Sequence, residues 1–107
     1  MADLVANYIY EGLRVNHVFM VTGAGIMHLT DAVACHKKLK AICPHHEQTS
    51  SMALEAYSRA TENFGVGCFT TGPGSTNAIT GLTGAMATMG YSLPAAIVVS
   101  IDSSFTN

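Results

Sequence analysis

HVFMVTGAGIMHLTDAVACH, residues 17–36, is the stretch on which the fold turns. His17–Thr22 is a short apolar run rich in branched and aromatic residues, the pattern of a buried strand. Gly23-Ala24-Gly25 makes a turn. Ile26–His36 then brings Ile26, Leu29 and Val33 to one side of a helix. The same alternation runs outward in both directions. A helix over Ala2–Val15, with Leu4, Val5, Tyr8, Ile9 and Leu13 at helical spacing, precedes the strand and ends at Gly12 and Asn16. A second strand over Leu39–Cys43 stops at Pro44. A long helix follows over Glu47–Asn63, with Met52, Ala56 and Ala60 sharing a face and Glu55 paired with Arg59 four residues on. Gly65–Thr70 is a third strand, and Thr71-Gly72-Pro73-Gly74 is a tight turn. A single helix is expected over Ser75–Thr88, capped by Ser75 or Thr76, and a fourth strand over Ala95–Ile101.

Strands alternating with helices predict an α/β fold: an open parallel sheet with helices on both faces, three layers deep, of flavodoxin-like topology and truncated. Ligands of such sheets bind beyond the carboxyl ends of the strands. That rule gathers Gly23–Gly25, His45–Glu47 and Thr71–Gly74 on one edge.

The composition narrows the function classes. The chain has 107 residues, 49% hydrophobic and only 11% charged, with a net charge of -2. An ordinary soluble domain carries about 25% charged residues. Disorder requires the opposite balance. Nothing in the charge attracts a polyanion, so no nucleic-acid partner is expected. So little charge implies apolar surface that meets another chain. Cys35, Cys43 and Cys68 form no C-x-x-C and are odd in number, and read as small buried hydrophobes in a reducing, cytoplasmic setting. The N-terminus lacks the basic region of a signal peptide. Residues 63–101 carry no charge, and Ala78–Ile101 is long enough to cross a bilayer. Gly81, Gly84, Gly90 and Pro94 interrupt it, so short buried elements are expected and no membrane span.

Three motifs offer chemistry. VTGAGIMH joins a strand to a helix through glycines that admit close backbone approach, yet it lacks the third glycine of the dinucleotide fingerprint. A bare turn accounts for it equally well. In PHHEQ, Glu47 stands at the start of a helix, where the dipole alone favours an acid; His45 and His46 read equally as loop residues. Adjacent histidines without a third ligand do not make a zinc site. In TTGPGSTNA, two glycines around a proline fix a close turn among small polar groups, without the lysine of a P-loop. Its alternative is a rigid turn that caps a helix. Met20, Met86 and Met89 read first as packing residues. Asp102 is a lone carboxylate, weak as a metal ligand.

HVFMVTGAGIMHLTDAV, then HHEQTSSMALEAYSRAT, then GVGCFTTGPGSTNAITGLTGA closely resemble, in that order, the N-terminal pyrimidine-binding domain of thiamine diphosphate enzymes, the acetolactate synthase group in particular. The resemblance covers residues 1 to about 85. Residues 86–107, MATMGYSLPAAI and VVSIDSSF among them, look like a segment of the same enzymes' C-terminal diphosphate-binding domain, with the middle domain absent.

The resemblance implies a glutamate at Glu47 that bonds N1′ of the cofactor's aminopyrimidine and promotes loss of the thiazolium C2 proton. The activated cofactor then attacks a 2-keto acid, and carbon dioxide leaves. Such a carboxyl group requires an apolar, water-poor pocket. Gly23, Gly25 and the turn Thr71, Gly72, Pro73 and Gly74 would line it, with His46 and Asn77 nearby and Met89 flanking the cofactor from the second segment. Asp102 takes the place of the expected Gly-Asp-Gly magnesium motif, which here reads Asp102-Ser103-Ser104, so Mg²⁺ binding is in doubt and the chain is expected to be incomplete as a catalyst. The family implies a homodimer, or docking to a diphosphate-binding domain. Two other readings stay open from the residues alone: a dinucleotide-binding α/β domain, and a non-catalytic self-associating fragment.

Overall fold

A computed structural model describes residues 1–88 and the strand Ala96–Val99. Met89 and Asp102 lie outside the described residues. The elements run α1 (Ala2–Asn7), a π-turn (Tyr8–Gly12), β1 (His17–Met20), a 3₁₀ turn (Ala24–Ile26), α2 (Met27–Cys35), β2 (Lys40–Ile42), α3 (Glu47–Thr61), β3 (Gly65–Cys68), α4 (Pro73–Asn77), α5 (Ile79–Thr88) and β4 (Ala96–Val99). The strands form one sheet in the order β2-β1-β3-β4. Every pairing is parallel, with Val18 opposite Ala41 and Val66, and Gly67 opposite Val98.

The two-residue period of a strand assigns the layers. Val18 and Met20 of β1, with Val66 and Cys68 of β3, point into a core shared with Ala6 and Ile9 of the N-terminal helix and Leu29, Ala32 and Val33 of α2. Phe19 points the other way, onto Leu54 of α3, Phe69 and Ala78. In β3 the alternation pairs a glycine with a side chain. A side chain built at Gly65 would begin 2.2 Å from the Leu54 carbonyl oxygen, and one at Gly67 2.5 Å from Leu54 Cδ2. The GVGC strand is thus bare on the α3 face, and α3 lies directly on its backbone.

Three local expectations are corrected. The first helix does not run evenly to Val15. It loosens into a π-turn, with Leu13 N–H donating to the Tyr8 carbonyl at 3.0 Å, and ends before Arg14 at φ 56°. The helix after the Thr71–Gly74 turn is two helices broken at Ala78. Neither Ser75 nor Thr76 caps it: Gly72 occupies the N-cap position, and both hydroxyls donate to carbonyls, Ser75 to Thr70 and Thr76 to Pro73. The Met52, Ala56 and Ala60 face of α3 is the exposed one. Its buried face is Ser50, Ser51, Leu54 and Ser58. Small residues are needed there because α5 crosses at close range: a side chain at Gly81 would begin 2.2 Å from Ser51 Oγ.

Candidate functional site

The parallel sheet puts the ends of β1, β2 and β3 on one edge, and the three motifs meet there. After β1, Gly23 starts the 3₁₀ turn, with Gly25 inside it. After β2, Pro44 ends the strand and His46 takes an extended conformation, φ -149° and ψ 143°, as the N-cap of α3. Its Nδ1 accepts from the Gln48 backbone N–H at 3.1 Å, which satisfies one orphan donor of the helix and fixes Glu47 as the first helical residue. After β3, Phe69 is fully buried, Thr70 half-buried, and Gly72 turns the chain at φ 68°, a conformation that favours glycine.

Contacts join these loops. Asn77 Nδ2 donates to Glu47 Oε2 at 3.1 Å. A side chain at Gly74 would begin 3.5 Å from Glu47 Oε1 and 2.6 Å from Thr70 Cγ2, and one at Gly23 would begin 2.6 Å from Thr70 Cβ and Cγ2. Gly23, Thr70, Gly74, Glu47 and Asn77 therefore form one continuous line. Thr71, Gly72, Pro73 and His46 stand at its exposed rim, and around the α-carbon of Gly72 there is open space. His45 is exposed beside them. Sequence reasoning did not single out Thr70, one of several small polar residues in its motif. Its position as the last residue before the turn, facing the edge where Gly23 must also end, was the available signal.

Glu47 is half-buried, so its carboxyl group is reached from one side and backed by protein on the other. The closed, water-poor pocket expected for it is not completed by the described residues. All five basic side chains stand elsewhere. Arg14 precedes β1, Lys37, Lys38 and Lys40 lie before or at the start of β2, and Arg59 is in the last turn of α3. Each is thus at the amino ends of the strands, the edge opposite the glycine turns. The edge that holds Glu47 has hydrogen-bonding groups and backbone but no lysine or arginine. A cleft of about 430 Å³ lined by Tyr10, His36 and Lys38 lies between the first two helices, on the basic edge. Among the described residues no three His, Cys, Asp or Glu side chains cluster as a metal site, and no helix is long and apolar enough to cross a membrane.

Comparison with known proteins identifies a family. Residues 1–103 match the family described as thiamine pyrophosphate enzyme, N-terminal TPP binding domain. The chain is 42% identical over 74 residues to a mitochondrial acetolactate synthase of Schizosaccharomyces pombe, covering 69% of this chain and 11% of that protein. It is 42% identical over 84 residues to the acetolactate synthase isozyme 2 large subunit of Escherichia coli, covering 76% and 15%. A Buchnera aphidicola acetolactate synthase large subunit is 35% identical over 79 residues, covering 74% and 14%. The chain thus spans about an eighth of the length of these relatives.

Proposed function

This chain belongs to the thiamine pyrophosphate enzyme family, as its N-terminal TPP binding domain, and from that premise we propose that it binds the aminopyrimidine end of thiamine diphosphate at Glu47. The observation that carries the proposal is the held carboxyl group: Glu47, half-buried at the first turn of α3, with Asn77 donating to Oε2 and Gly74 bare beside Oε1.

The residues fit that ring. The cofactor, when bound, supplies the electron sink for decarboxylation of a 2-keto acid and carboligation of the product. The chain's own residues do simpler things. Asn77 fixes the rotation of the carboxyl group by occupying one oxygen, which leaves Oε1 to share a proton with a ring nitrogen presented from the open side. Gly74 lets the ring edge approach the main chain. The Gly72–Pro73 turn fixes the rim against which the ring is laid.

The diphosphate end needs cationic compensation that this edge lacks, by lysine, arginine or Mg²⁺. We assign that task to a diphosphate-binding domain docked over the open side, on a second copy or a further part of a longer chain. The same docking would close Glu47 off from water. Met89 and Asp102, which lie outside the described residues, enter this reading only through the family resemblance, with Asp102 a poor substitute for a magnesium ligand. Alone, the chain binds the cofactor weakly and does not turn over.

Calorimetric titration with thiamine diphosphate and Mg²⁺ tests the proposal. Wild type should give saturable heat that Glu47→Gln abolishes, and free thiamine should compete. Equal heats for the two proteins, or competition by a reduced nicotinamide nucleotide in place of thiamine, would overturn it.

A further inference from the structure

We infer that Thr70 is the positioning residue of this site, its methyl group a shared wedge that sets the two glycine bends against each other. A side chain built at Gly23 would begin 2.6 Å from Thr70 Cγ2, and one built at Gly74 would also begin 2.6 Å from Thr70 Cγ2. One methyl group therefore fills the space that both glycines leave empty. The loops that carry them are far apart in sequence, and neither glycine could be replaced without moving Thr70.

Two further contacts fix the wedge and carry its position to Glu47. Ser75 Oγ donates to the Thr70 carbonyl at 2.7 Å, which ties the start of α4 to the end of β3. Gly74 then stands beside Glu47 Oε1, and Asn77, in the same short helix, holds Oε2. One oxygen of the carboxyl group is thus held by α4, the other faces its bare Gly74, and α4 is tied to Thr70. The Thr70 hydroxyl group makes no hydrogen bond among the described residues. The work is steric, done by the branch at Cβ.

This chemistry makes valine and serine opposite controls. Valine keeps the branch and loses the hydroxyl group; serine does the reverse. In ¹⁵N-labelled protein, Thr70→Val should leave the Gly23 and Gly74 amide resonances and the Asn77 side-chain amide close to wild type. Thr70→Ser should shift all three together while Val66, in the middle of β3, stays in place. Affinity for thiamine diphosphate should fall severalfold in Thr70→Ser, because α4 and with it Glu47 lose their placement, and stay near wild type in Thr70→Val.

The wedge is overturned if Thr70→Val is as damaging as Thr70→Ser, or if Thr70→Ser shifts one glycine bend without the other. The affinity arm rests on the pyrimidine reading above; the resonance arm does not. Linked shifts without any thiamine diphosphate binding would sink that reading and leave the wedge standing. Binding that is lost in Glu47→Gln and untouched by Thr70→Ser would do the opposite.

Discussion

Cys68 shows how burial sets the chemistry of a single side chain. It is fully buried in the core beneath the first two helices, and desolvation pushes its thiol from 9.0 to about 12. The expectation of burial holds for Cys68 alone: Cys35, at the end of α2, and Cys43, just after β2, are exposed. Mass spectrometry after brief alkylation at pH 8 should therefore find two modified thiols in the folded chain and three in urea. The same shift has a consequence for stability. The folded state keeps a proton that the unfolded chain releases, so this contribution is intact below pH 9 and is lost as pH climbs towards 12. Urea midpoints should fall over that interval in wild type, and less so in Cys68→Ala. Gly72 is a residue of another kind. Its surroundings are open, so Gly72→Ala costs only backbone strain, about 1–3 kcal/mol, visible as a lower urea midpoint.

Among the elements, the decisive contacts are those of α3. It lies on the bare face of β3 and under α5, and glycines make both approaches. Those glycines are not equivalent. The obstruction at Gly65 is a backbone carbonyl, whereas at Gly67 it is the ends of the Leu54 and Phe69 side chains. Side-chain ends can move and a helix backbone cannot, so Gly65→Ala should destabilise on the order of 3 kcal/mol and Gly67→Ala less. On the other side, a side chain at Gly81 would begin 2.2 Å from Ser51 Oγ and 2.7 Å from the Met52 backbone nitrogen, while one at Gly84 would begin 3.1 Å from the end of the Glu55 side chain. Gly81→Ala should be the more damaging of that pair. Equal urea midpoints within either pair would mean that α3 shifts as a body, contrary to the packing described. The sequence pattern showed where α3 begins and ends to within two residues. It did not assign the inward face, because a serine-lined face reads as polar until a close helix crossing explains it.

For the molecule as a whole, charge and apolar surface are divided between edges and faces. The five basic residues gather at the amino ends of the strands, away from Glu47. Met52 on α3 and Ile79 and Met86 on α5 are 47%, 53% and 70% exposed, on two helices packed against each other. Apolar surface of this kind is what a partner chain would cover. Light scattering should report association at high concentration, and the pair Met52→Lys and Met86→Lys should shift it towards monomer. A monomeric wild type across that range would mean that no second copy covers this surface.

Sequence alone determined the order of strands and helices, the parallel sheet, and the edge on which three motifs had to meet. Those follow from periodicity and from glycine and proline placement, which are local properties of the chain. Family membership was legible in the same motifs. Only the tertiary structure decided that Thr70 lies between two glycine bends, that Asn77 reaches Glu47, and that the GVGC strand is bare on one face for α3. Each is a contact between segments distant along the chain, set by the distance at which backbones pack, and no spacing of residue types encodes that distance.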